Sequence, residues 1–186
     1  MSHTIRTVSF TLVALVVVAT FAAAQQGMPP LPKPGPEHEV LAADVGTWDA
    51  VVETWMAPGQ PPMTSKAVET NRLVGGRYLV SDFKGDFGGM AFEGHGLTWW
   101  DPASKTYRGT WVDTMSTGPM MGTSTWNPAT KTVTGEMTGP DMTGTVQAMR
   151  SETVYKADGT RVMSMYMKGP DGKDMQTMRM TYTKRP

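Results

Sequence analysis

The chain predicts an all-β fold: a single antiparallel, up-and-down barrel of about ten strands preceded by a short helix. Three observations carry that expectation. Apolar and polar residues alternate with period two, as in Met163-Ser164-Met165-Tyr166-Met167 and Met178-Arg179-Met180, which is the face alternation of a strand. Runs rich in Thr, Val, Tyr and Trp recur along the chain, separated by turn chemistry such as Gly75-Gly76, Asp158-Gly159 and Gly169-Pro170-Asp171-Gly172. No crossover-length segment lies between these runs, so consecutive strands are expected to pair as hairpins, and a meander this long curls and closes on itself.

The elements follow in order. Residues 1–24 read as a signal peptide: Arg6 supplies the positive start, 8–21 is almost uninterrupted apolar sequence, and Ala22-Ala23-Ala24 offers small residues for cleavage before Gln25. The alternative is an uncleaved anchor, for which the stretch is short. Residues 25–35 (QQGMPPLPKPG) are proline-rich and read as a mobile tether. The domain proper is 36–186. Residues 36–46 predict its one helix, with Pro36 at the first position, Glu37 and Glu39 in the first turn and Gly46 after the end. Strands are expected at 47–56, 63–74, 77–84, 90–100, 105–114, 121–126, 131–138, 143–155, 161–168 and 174–184. Two turns nearly repeat: Trp100-Asp101-Pro102-Ala103-Ser104-Lys105-Thr106 and Trp126-Asn127-Pro128-Ala129-Thr130-Lys131-Thr132. Asp or Asn before proline starts each, which predicts the same hairpin geometry twice.

Composition excludes several classes. There is no cysteine, hence no disulfide, no thiolate metal site and no lipid-modified N-terminal Cys. Without the leader, which contains Arg6, sixteen basic residues face seventeen acidic ones and no basic run occurs. Nucleic acid and anionic membrane surfaces are therefore not expected partners, and no stable membrane insertion is expected after leader cleavage. The expected location is periplasmic or secreted. The apolar set is unusual: the chain has seventeen methionines, all but Met1 from Gln25 onward, where only five leucines and no isoleucine occur. Methionine must then supply much of a core or cavity wall, where its unbranched thioether adapts to gaps. Thioether sulfur also suits Cu(I), and the M-x-M runs plus Met175-x-x-Met178 keep a soft-metal reading open as an alternative.

Gly46-Thr47-Trp48, opening the first strand after the helix, resembles the Gly-x-Trp of calycin barrels such as lipocalins. That resemblance implies a structural role for Trp48 at the barrel floor, covered by an arginine from a late strand. Arg179, or failing that Arg185, is the expected partner. Pro34-Gly35-Pro36-Glu37-His38, Gly75-Gly76-Arg77-Tyr78-Leu79, Phe92-Glu93-Gly94-His95-Gly96, Thr110-Trp111-Val112-Asp113-Thr114-Met115 and the run from Met165 to Lys173 extend the likeness. Over about residues 34–185 the chain resembles the bacterial family known as domain of unknown function 1579. The resemblance implies a calycin-like barrel and brings no catalytic residues. Where members of that family often carry Gly-Tyr-Asp, this chain has Trp99-Trp100-Asp101, so a ring that narrows a cavity or covers an outer face replaces a glycine.

Candidate site residues follow from the barrel. About ten strands leave more interior than ordinary side chains fill, which makes binding of a small apolar or amphipathic molecule the default function. Tyr78, His95, Trp111, Asp113, Met165, Tyr166 and Met167 are the candidate ligand-binding residues, Trp111 and Asp113 as an aromatic wall with a polar anchor. His95 and methionine sulfur carry the second reading, a copper or haem protein. The related nitrobindin-type barrels place their haem histidine late in the chain, whereas no histidine follows His95 here. The third reading is an enzyme that draws an acid–base carboxylate pair from Asp82, Glu93 and Asp113. No nucleophile elbow, metalloprotease helix or P-loop is present, so no catalytic residue, metal or cofactor is assigned.

Overall fold

The computed structural model describes residues 33–186 with Pro170 excepted; the leader and residues 25–32 of the tether lie outside the described residues. Helix α1 (Glu37–Ala43) is shorter than its sequence pattern. Pro36 already has helical φ and ψ, its missing N–H costing nothing there, and Gly46 at φ +126° turns the chain out of the helix and into the sheet. The strands are β1 (Gly46–Thr54), β2 (Met63–Val74), β3 (Tyr78–Phe87), β4 (Met90–Asp101) and β5 (Thr106–Asp113), followed by β6 (Met120–Asn127), β7 (Thr132–Pro140), β8 (Val146–Tyr155), β9 (Arg161–Lys168) and β10 (Asp174–Lys184). Each pairs antiparallel with its neighbours in sequence, and β1 pairs with β10 from Trp48↔Lys184 to Thr54↔Met178, so the barrel is closed and has no free edge.

β8 begins three residues later than expected. The Asp141 carboxylate accepts the backbone N–H groups of Thr143 and Thr145 at 2.8 and 3.0 Å, which bends this stretch into a turn before the ladder can start. The paired turns do share one geometry. Asp101 and Asn127 each accept the N–H of the residue two positions on, Ala103 and Ala129, at 3.1 and 3.0 Å. Lys105 and Lys131 both take positive φ, 54° and 52°. Both hairpins start from a tryptophan, Trp100 or Trp126, that packs around Leu41 of α1 with Leu79 and Tyr107. The helix thus plugs one end of the barrel, held also by the Tyr107 hydroxyl, which donates to the Glu37 carbonyl at 2.8 Å.

The methionines form a ladder. In the β9–β10 register Met163 faces Met180, Met165 faces Met178 and Met167 faces Met175. Met175 and Met178, three apart, would ordinarily point to opposite faces. A register shift between Gln176 and Met178 adds the residue that brings them to the same one. Met163, Met165 and Met178 pack against a core of Trp48, Ala50, Val52, Ala67, Phe83, Met180 and Tyr182.

The opposite wall is bare. Gly94 and Gly96 of β4, Gly109 of β5, Gly122 of β6 and Gly135 of β7 are in phase with the interior residues of their strands, and Gly109 directly faces Gly122. One ring exploits this. A Cβ on Gly94 would lie 2.1 Å from Trp111 Cζ2 and one on Gly96 3.1 Å from Cε3, so the indole lies on two side-chain-free strand positions and meets Phe83 edge-on at 6.3 Å. Trp99 is out of phase with this face and covers the outside of β4 between Tyr78 and Arg108. Gly94→Ala forces the indole to move and is expected to lower stability by about 1–3 kcal/mol in urea unfolding. Adding Trp111→Leu should make the double variant lose less than the sum of the two single losses, by about 0.5 kcal/mol or more; strict additivity would refute the contact.

Candidate functional site

Between α1, the glycine wall and the upper end of the methionine ladder lies a cavity of about 230 Å³. Leu41 and Leu79 border it from the helix end, Gly109, Gly122 and Gly135 from the bare wall, and Trp111, Met137 and Met163 from the interior. It exists because the strand positions that would fill it carry no side chain. At about 30 Å³ per molecule of liquid water it has room for on the order of seven waters, or one small organic molecule.

One end of this cavity is charged. Arg161, the first residue of β9, is in phase with Met163 and Met165 and so enters the barrel, where it is 5% exposed. Its guanidinium is 4.6 Å from the Trp48 ring centroid and 4.2 Å from that of Tyr182. Nη2 donates to Glu69 Oε1 of β2, and Nη1 lies 2.8 Å from Asp44 Oδ1 as an ion pair without a well-directed hydrogen bond. Asp44 terminates α1, and its carbonyl accepts the Trp48 indole N–H at 2.8 Å and the Asn71 amide at 3.1 Å, which satisfies a helix-end acceptor with side chains. Tyr155 of β8 donates to Asp44 Oδ2 at 3.1 Å, and Asn71 to Glu69 Oε1 at 2.6 Å.

The electrostatics follow from this arrangement. Burial pushes the Asp44 carboxyl above its ordinary 3.8, against the pull of Arg161 and with the push of Glu69. Burial alone would weaken the charge on Arg161, but Asp44 and Glu69 more than offset it and the guanidinium is held cationic. Burial also raises the Tyr155 and Tyr182 hydroxyls, which stay protonated donors. Tyr107 is pushed up to about 12 by burial and then by Glu37.

The sequence-derived candidates divide between inside and outside. Trp111 borders the cavity; Met165 packs in the core beside it, and Met167 pairs with Met175. Asp113 is tied up structurally, accepting the Trp111 indole N–H at 2.9 Å and the Met115 and Ser116 backbone N–H groups at 2.8 and 2.7 Å. Tyr166 is out of phase with the methionines and lies outside, with the Arg150 guanidinium 4.1 Å from its ring centroid. Tyr78 is 44% exposed. His95 is outside as well, its side chain 52% exposed and its Nδ1 2.8 Å from Asp82 Oδ1; Asp82, Glu93, His95 and Asp113 border an open surface pocket of about 270 Å³, not the interior cavity. The arginine over Trp48 is Arg161, not Arg179 or Arg185. Arg179 alternates with Met178 and Met180 and pairs outside with Glu53 at 3.9 Å, while Arg185 binds Asp49 at 2.6 and 3.1 Å. Sequence reasoning passed over Asp44, Glu69, Tyr155 and Arg161. The available signal was phase: Arg161 shares the methionine face of β9, and Glu69 lies between the buried Ala67 and Asn71 of β2. Among the described residues, no three of His, Cys, Asp and Glu gather as metal ligands.

Two outcomes test this cluster. Arg161→Met leaves two buried carboxylates without a cation and should cost about 3–5 kcal/mol in urea unfolding, much of it restored by adding Asp44→Asn and Glu69→Gln. A loss that persists undiminished in the triple variant would mean that Arg161 acts through packing rather than charge. The second test is pH. A native value raised above the unfolded one means that the folded state holds the proton more tightly, so the Asp44 contribution to stability falls as pH rises from 3.8 through the native value. Asp44→Asn removes that loss, so the variant's melting temperature relative to wild type should rise between about pH 4 and pH 8. A relative fall would show that the attraction of Arg161 outweighs burial.

The solved structures supply a likeness of fold. The crystal structure of Rv2717c from M. tuberculosis superposes with a TM-score of 0.61 at 12% identity, over 82% of this chain and 99% of that one. No curated protein matches the chain. A family model described as protein of unknown function (DUF1579) matches residues 33–184, the whole of the barrel, and the chain belongs to that family.

Proposed function

We propose that the barrel binds one small amphipathic molecule in the cavity under α1. The observation that carries this reading is the cavity itself: a space of about 230 Å³ bordered by Leu41, Leu79, Trp111, Met137 and Met163, with polar groups at one end. Apolar walls with a few convergent polar groups are the physical form of a small-molecule site, because burial supplies affinity and the polar groups fix orientation. An exported carrier or sensor of such a molecule fits the leader-like pattern of residues 1–24 and the absence of cysteine.

Gly109 offers a selective test. A Cβ there would meet the Leu97 carbonyl and Thr98 Oγ1 only at 3.7 Å, an ordinary contact, whereas one at Gly122 would meet the Glu136 carbonyl at 2.1 Å. Gly109→Val therefore puts a side chain into the cavity while leaving the ladder intact. With 2-phenylethanol as probe and saturation-transfer NMR as readout, wild type is expected to bind and Gly109→Val to bind about ten-fold more weakly, with melting temperatures within about 4–8 °C of each other. Binding that the substitution leaves unchanged would place the molecule elsewhere.

A further inference from the structure

We infer that the cavity takes a cationic amphiphile, a small primary amine with an apolar or aromatic body, whose ammonium group sits against Asp44 and Glu69 and whose body lies between Trp111, Met163 and the glycine wall. This rests on the reading of the cavity as a binding site and names the class of its ligand. The first support is the count of charge. Two carboxylates, Asp44 and Glu69, and one guanidinium, Arg161, border the cavity, so the buried cluster lacks one positive charge when both carboxylates are ionised. Glu136, whose side chain belongs to the exposed face of β7, adds none to the interior.

The second support is which polar groups remain available. The guanidinium is committed: its faces meet Trp48 and Tyr182, and Nη1 and Nη2 meet the two carboxylates. Among the described residues its Nε is the guanidinium nitrogen that is buried and without a hydrogen-bond partner. An anion taking that single donor would bring a third negative charge to two carboxylates and one guanidinium. Asp44 Oδ1, by contrast, meets Arg161 Nη1 at 2.8 Å but takes no directed hydrogen bond among the described residues, so it keeps acceptor capacity that a donor on the ligand would use. Tyr107 and Tyr155 also border the cavity, and a cation over either ring would be favoured.

Burial raises the Asp44 carboxyl, and an ammonium group beside it would pull the other way by supplying the positive charge that the ionised cluster lacks. The groups around Asp44 are Glu69 from β2, Tyr155 from β8, Arg161 from β9 and Tyr182 from β10. Among them Asp44 is the acid whose carboxyl burial raises while it faces the cavity.

The experiment is calorimetric titration of the purified protein near neutral pH with three probes of like shape: 2-phenylethylamine, 2-phenylethanol and phenylacetate. The amine is expected to bind about ten- to hundred-fold more tightly than the alcohol, as a charge-assisted hydrogen bond allows, and phenylacetate most weakly. Asp44→Asn should bring the amine to within about three-fold of the alcohol. Glu69→Gln, which also leaves one carboxylate to one guanidinium, should erase the same preference and serves if the first variant does not fold. Alcohol and amine binding equally, or phenylacetate binding best, overturns the amine while leaving the cavity as a binding site. Failure of all three probes to bind in a manner that Gly109→Val weakens overturns the binding site itself.

Discussion

The guanidinium of Arg161 is the constraint on which the rest of the helix end depends. It reaches from β9 across the closing strands, stacking on Trp48 of β1 and Tyr182 of β10 while it pairs with Glu69 of β2 and with Asp44 at the end of α1. The seam of a closed meander lies between its first and last strands, here β1 and β10, which is where a single side chain touching both has most to hold together. Desolvating three charges costs several kcal/mol for each, and their mutual attraction repays this only where geometry and further hydrogen bonds are good. Those hydrogen bonds come from Tyr155 and Asn71, and Trp48 and Asn71 together take up the Asp44 carbonyl that the helix leaves unpaired.

The interior is asymmetric for a reason of size. Ten strands enclose more space than side chains of ordinary length fill. On β9 and β10 the chain answers with three facing methionine pairs, of which Met163–Met180 and Met165–Met178 reach the core around Phe83 and Val52. On β4 to β7 it answers with glycine, and Trp111 over Gly94 and Gly96 and Met137 over Gly122 lie across part of that wall. What they leave uncovered is the cavity. The methionines therefore both fill the barrel and bound the space left in it: Met165 and Met178 are core, while Met163 touches core and cavity alike.

Much of this was legible where the signal is local. Alternation located the strands, and the Asp-Pro and Asn-Pro turns announced their shared geometry. Phase, followed strictly, carries further than motif. If Met178 and Met180 face inward, Arg179 between them cannot, and the same holds for Tyr166 between Met165 and Met167; both were assigned roles that their own strands exclude. Arg161 and Glu69 were within reach of the same rule. The extra residue between Gln176 and Met178 was not, because a bulge is set by pairing across strands rather than by the sequence of one. Nor was the meeting of Asp44, Glu69, Tyr155 and Arg161, which are far apart in the chain and converge only when the barrel closes.

Two features of the interior run against stability, and they occupy the same place. A cavity forfeits the dispersion contacts its lining would otherwise make, and buried ion clusters are commonly no more stable than well-packed apolar replacements. A barrel selected for stability alone would fill Gly109 and replace Arg161 with its carboxylates by hydrocarbon. The first of these meets no backbone obstacle, since a Cβ at Gly109 has ordinary room. The elements around the cavity are otherwise well made, with closed pairing throughout and a helix end capped by two side chains. Unfilled space and an excess of carboxylate over guanidinium at one end of a closed barrel are complementary defects, and a molecule with an apolar body and a positive end would remove both at once.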